Sequence, residues 1–181
     1  MTVYKDNVHY KGTLQLVNMD SRGPAYQQDA EALNPIGCVT RFQGNLYRYV
    51  LLSTGAGPVA TVAGAPAYWY ALNPAEDTFT VTSDASSGYA SGVNMCAGVF
   101  LAAGLTTAKY IWILVAGVYA GIHVNDGAAA GDRLYVGSDS TFTKFSSGAT
   151  GVELMYGVCL EAEGGTTSGI ANSLIYPKNL W

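Results

Sequence analysis

The residues from Tyr110 to Ile122 read YIWILVAGVYAGI, the most apolar stretch of the 181-residue chain. Such a run is a membrane helix, a buried helix or a buried strand, and the choice decides what the chain can become. A membrane helix needs about 20 consecutive apolar residues, whereas His123 and Asn125 interrupt this run. Extending it back to Met95 takes in Lys109 and the turn-forming LTTAK, which places a charge near mid-bilayer at a cost of about 3 kcal/mol. As a helix it would hold Ile111, Ile113, Val115 and Val118 together with Gly117 and Gly121, all weak helix formers. β-Branched and aromatic residues are the types that strands favour. The stretch is predicted to be a strand buried on both faces, with Ile111, Trp112, Ile113 and Val115 as its core. A second strand is predicted after the Gly117–Gly121 interruption, with Asn125, Asp126 and Gly127 as the following turn.

The rest of the chain agrees with a β reading from Ile36 onward. CVTRF and LYRYVLL flank a QGN turn, and TFTVTSD alternates Thr with Phe79 and Val81, a period of two. GVFLAA, RLYV, FTKF, VELMYGVCLEA and SLIY follow, each bounded by Gly, Asn or Ser. The expected fold is all-β, an antiparallel sandwich or barrel-like domain over residues 36–181. Residues 1–35 are the most polar region and are expected to form an extended N-terminal arm. Within it, Pro24 followed by AYQQDAEAL is predicted to start a short helix that Pro35 ends.

Only 12% of the residues are charged, against 49% hydrophobic, and the chain holds 22 Gly and 13 Tyr. A surface so poor in charge suits one that other subunits cover. The net charge of -4 provides no basic stripe, which argues against nucleic acid as a partner. No polybasic membrane address is present, and the first residues carry no apolar signal core, so a cytoplasmic folding site is expected. Cys38, Cys96 and Cys159 lie far apart in apolar context and read as buried thiols.

No pattern of catalytic chemistry stands out. STGAGPVA resembles a dinucleotide loop, but Pro58 and TVAGAPAYW cannot open the helix that such a loop needs. His9 and His123 have no second ligand at helical or hairpin spacing, so no metal site or cofactor is expected. Glu153, Glu161 and Glu163 share one strand parity and read as a solvated face. Asp84, Asp126, Asp132 and Asp139 sit in loops without calcium-site spacing. The candidate contact residues are aromatic: Tyr68, Trp69 and Tyr70 beside Pro66, with Tyr4, His9, Tyr10 and Tyr26 in the arm.

Between Gly37 and Leu174 the order of small motifs resembles the capsid decoration (cement) proteins of tailed bacteriophages. IGCVTRFQGNLYRYVLL is similar to their opening hairpin. GVFLAAG, KYIWILVAGV, AAAGDRLYVGSD and VELMYGVCLEA then follow in the family's order, with Cys159 at a usually small position. The resemblance implies a β-rich structural protein, not an enzyme, commonly a homotrimer. It would bind the outside of a virion head where major capsid protein subunits meet, after assembly in the host cytoplasm. The long polar N-terminus departs from the pattern and is expected to clamp a neighbouring subunit. A tail-fibre or head-fibre adhesin domain that binds host glycans through the Tyr68–Tyr70 cluster fits the same composition.

Overall fold

A computed structural model describes residues 4–10, 13–53, 59–73, 78–86, 96–125, 127–136, 141–144, 155–162 and 169–175. Its strands are β1 (Tyr4–Tyr10), β2 (Thr13–Met19), β3 (Gln28–Asp29), β4 (Val39–Phe42), β5 (Asn45–Leu52), β6 (Pro66–Asn73) and β7 (Thr78–Thr82), followed by β8 (Cys96–Phe100), β9 (Lys109–Val124), β10 (Arg133–Val136), β11 (Phe142–Lys144), β12 (Met155–Cys159) and β13 (Gly169–Ile175). The chain is all-β. Among the described residues the one helical element is a 3-10 turn at Pro24–Tyr26, and no helix is long and apolar enough to cross a membrane.

The apolar run lies within β9, a single 16-residue strand. The expected break at Gly117 is a kink rather than an end. Gly117 takes φ 125, and a Cβ there would run into Asn45. The Asn45 side chain accepts from Val118 N–H (3.0 Å) and donates to Val118 C=O (3.0 Å). One carboxamide thus supplies the donor and acceptor that a neighbouring strand would have supplied, and the strand continues past the glycine.

β9 closes two rings. Its first half pairs antiparallel with β5, from Leu46↔Ala116 to Leu52↔Lys109, and with β8 at Val99↔Leu114 and Phe100↔Ile113. β8 pairs β6, β6 pairs β7, and β7 returns parallel to β5 at Leu51↔Thr80 and Leu52↔Val81. The second half of β9 pairs antiparallel with β13. β13 pairs β12, β12 pairs β10, and β10 pairs β11, which returns parallel to β9 at Phe142↔Val124. Of the expected antiparallel sandwich or barrel-like domain, the structure has the barrel-like form: two small rings sharing a strand, each closed by a parallel contact, so the sheet is mixed. Closure suits short strands because it leaves fewer unpaired edges.

The rings repeat one plan. Val99 faces Leu114 in the first, and Val158 faces Leu174 in the second. Gly64 N–H donates to Phe100 C=O (2.8 Å) and Phe100 N–H to Ala65 C=O (3.0 Å). Gly131 N–H donates to Cys159 C=O (2.8 Å) and Cys159 N–H to Asp132 C=O (2.9 Å). The register shifts at matching places, between Ala67 and Tyr68 and between Leu134 and Tyr135. The residues follow the geometry: AGAPAY at 63–68 matches AGDRLY at 130–135, and GVFLAA at 98–103 matches GVCLEA at 157–162. β5 and the second half of β9 hold the same place, with Leu52↔Lys109 matched by Val124↔Gly169.

Alternation fills the interiors. Val50, Leu52, Ala67, Trp69, Val81, Phe100, Ile111, Ile113 and Val115 form one buried cluster inside the first ring. Ile122, Val124, Leu134, Val136, Phe142, Cys159, Ala171 and Ile175 are buried in the second. Each fully buried aliphatic side chain contributes roughly 1.5–3 kcal/mol. The even-numbered Trp112 and Leu114 face the other way and join the cluster that fills the second ring, together with Val17, Met19 and Cys38. β9 is thus buried on both faces because the two faces serve different cores.

At Gly98 an added Cβ would collide with the backbone oxygen of Leu114, and at Gly157 with that of Leu174. Gly44 has open space around the same position. Gly98→Ala and Gly157→Ala are each expected to lower stability by about 3 kcal/mol. Gly44→Ala, which meets only the left-handed backbone, should cost about 1 kcal/mol. Urea unfolding of the three variants checks the ranking.

Candidate interaction surface

The boundary expected at residue 35 is crossed by packing and hydrogen bonds. Val17 and Met19 are buried in the common core. Asn18 N–H donates to Asn34 Oδ1 (2.7 Å) and Asn34 Nδ2 to Asn18 C=O (2.8 Å). β3 pairs with β9 at Gln28↔Ile111 and Asp29↔Tyr110. The predicted helix over AYQQDAEAL is replaced by the 3-10 turn and an extended Gln27. Tertiary bonding explains the difference. Gln27 is buried, and its Oε1 accepts from Trp112 Nε1 (3.1 Å) and from Asp20 N–H (3.1 Å). Its Nε2 donates to Asp29 Oδ2 (2.7 Å), which also accepts from Tyr49 Oη (2.5 Å). These contacts outweigh a helix propensity worth only tenths of a kcal/mol per residue.

The predicted contact residues separate. Tyr4, His9 and Tyr10 lie on β1, which among the described strands pairs only with β2, in a two-stranded sheet. Tyr26 is 58% exposed, with the Arg22 guanidinium 4.9 Å from its ring centre. Arg22 also bridges Asp20 (2.8 Å), and these hydrogen bonds hold the Asp20 carboxyl down at about 2. Tyr68 and Trp69 are buried on opposite faces of β6, in different clusters, and Tyr70 is half-buried. The aromatic triplet therefore offers a partner no continuous platform.

The candidate chemical groups are engaged locally. Cys38, Cys96 and Cys159 are free thiols, and burial pushes those of Cys38 and Cys96 up to about 12. At neutral pH these two carry little thiolate and are poor nucleophiles or ligands. Asp132 Oδ2 accepts from Ala129 N–H (2.8 Å), and Asp84 Oδ1 from Ser86 N–H (2.8 Å) and Oγ (2.6 Å), so both shape turns. His123 is half-buried, and Glu161 is exposed beyond β12. The glycine-rich loop at 54–58, Glu153, Glu163, Asp126 and Asp139 lie outside the described residues. Among the described residues no three His, Cys, Asp or Glu gather as a metal site. Arg48 sits on the inner face of β5, its guanidinium 5.8 Å from the Trp69 ring centre and 5.7 Å from that of Phe79. Burial lowers its pKa. The stacked guanidinium reads as part of the ring's packing.

The surface that sequence reasoning missed emerges from the repeat. On the first ring Tyr68, Val99, Leu101 and Leu114 are buried, in the cluster that also holds Val17, Met19 and Cys38. Their counterparts on the second ring are Tyr135, Val158, Leu160 and Leu174, identical in residue type. Tyr135, Val158 and Leu174 are only half-buried, and Leu160 is 46% exposed. The signal was available in the paired AG-x-x-x-Y and GV-x-L-x-A segments. Searches against protein-family models, curated proteins and solved structures find no match.

Gln27→Ala is expected to leave the buried Trp112 N–H without its acceptor and to lower stability by about 1–3 kcal/mol. Chemical denaturation followed by tryptophan fluorescence measures this. An unchanged midpoint would show that the N-terminal segment is not held through Gln27.

Proposed function

We propose that this chain is a structural virion protein, a decoration protein on the outside of a tailed-phage head. The observation that carries the reading is where the family-like segments fall. IGCVTRFQGNLYRYVLL contains β4 and β5, GVFLAAG ends β8, KYIWILVAGV opens β9, AAAGDRLYVGSD leads into β10, and VELMYGVCLEA contains β12. The resemblance therefore runs through the strands that build both rings, in the order that builds them. Further support comes from Cys38 and Cys159, which are buried, and from Asp84 and Asp132, which bond within turns.

In this reading the protein acts by burial of surface at contacts between major capsid protein subunits. Each contact is weak, and symmetry repeats it, so that avidity exceeds the affinity of one site. A homotrimer would engage several shell subunits at once, with no enzymatic step. The adhesin alternative loses support from the burial of Tyr68 and Trp69, which leaves the proposed sugar platform without two of its three rings.

The test is co-sedimentation of the purified chain with emptied heads of the phage that encodes it. Saturable binding at a fixed number of copies per shell is expected. Failure to sediment with heads that retain their free binding positions would overturn the proposal.

A further inference from the structure

We infer that the outer face of the second ring, formed by Tyr135, Val158, Leu160 and Leu174, is an interface for a second copy of this chain. The inference stands on the internal repeat, and it would give the self-assembly proposed above a defined surface.

The two rings have superimposable pairing at β8–β9 and β12–β13, so their outer faces are comparable position by position. On both, those positions are Tyr, Val, Leu and Leu. In the first ring this face is closed from within the chain: β3 lies along β9, and Val17, Met19 and Cys38 join the cluster around Tyr68, Val99, Leu101 and Leu114. Leu101 is left 7% exposed, whereas Leu160 at the matching place is 46% exposed. An identical apolar set is thus covered once and open once. Water contact with such a face is unfavourable in proportion to its apolar area.

A second copy is the favoured occupant because the chain itself covers the matching set in the first ring, with Val17 and Met19 of its N-terminal region among the covering residues. That region also contains a part with pairing capacity left over. Among the described strands β1 and β2 pair only with each other, in a hairpin anchored in its own copy by Val17 and Met19 and lying beside β4. The part of this hairpin beyond Val17 and Met19, laid on the second ring of another copy, would meet a larger apolar surface. Contact between two different faces is heterologous and closes into a ring when the rotation permits. A cyclic trimer is one such closure.

Sedimentation velocity of the full chain and of single variants tests this at micromolar concentration. The wild-type chain should sediment as a multiple of 19.0 kDa. Leu160→Glu should sediment as a monomer with an unchanged unfolding midpoint, because the side chain is half open within one copy. Val158→Lys on the same face provides a second disruption should Leu160→Glu misfold. Val62→Glu, at an exposed site elsewhere, should leave the assembly intact. A monomeric wild type, or assembly that survives both face substitutions, would overturn the inference. So would a monomer that binds phage heads through Leu160, which would uphold head binding while removing the self-interface. Conversely, Leu160-dependent assembly in a protein that binds no head would sustain this interface and remove the head-binding reading.

Discussion

One strand closes two rings, and the rest of the fold depends on how it does so. Between Lys109 and Ala116 β9 is the partner of β5 and β8, and between Gly117 and Val124 it is the partner of β13 and β11. Removing it would open both rings and expose edges on each. Its side chains divide in two: Ile111, Ile113 and Val115 belong to the first interior, and Trp112, Leu114, Ile122 and Val124 to the cluster that fills the second ring and continues under the N-terminal segment. Gly117, at φ 125, marks where the strand passes from one ring to the next, and the Asn45 carboxamide keeps its hydrogen bonding continuous there.

From this arrangement follows an asymmetry between otherwise matching rings. The first ring is clad by polar recognition: Gln27 reads the Trp112 N–H, Asp29 accepts from Tyr49, and Asn18 and Asn34 exchange hydrogen bonds. The second ring carries the same outer Tyr, Val, Leu and Leu with less cover. The outer face of the second ring is therefore the more exposed of the two. The proposed decoration of a shell and the proposed self-assembly would both draw on that face. Neither calls on the thiols that burial keeps protonated or on the aspartates that bond within turns.

The β class was legible because its signals are local. Alternation in Thr78–Thr82 and the β-branched content of Ile111–Val115 survive whatever the tertiary structure adds. The continuity of β9 was not, since it depends on Asn45, 73 positions from Val118. The 3-10 turn in place of a helix was hidden for a similar reason: Gln27 and Trp112 are 85 positions apart. Tyr68 and Trp69 look like a contact pair in sequence, yet adjacent strand residues point to opposite faces, and here both faces are buried. The repeat was present in the residues but spaced unevenly. AGAPAY to AGDRLY is a step of 67 residues and GVFLAA to GVCLEA a step of 59, so no single period exposes it.

Hydrogen exchange followed along β9 in rising urea is the most direct measurement of shared closure. If one strand closes both rings, peptides covering Lys109–Ala116 and Gly117–Val124 should lose protection together, at the urea concentration where β5 and β13 also open. Loss of protection in Gly117–Val124 and β13 well before Lys109–Ala116 and β5 would contradict it, because the second ring would then open without disturbing the first.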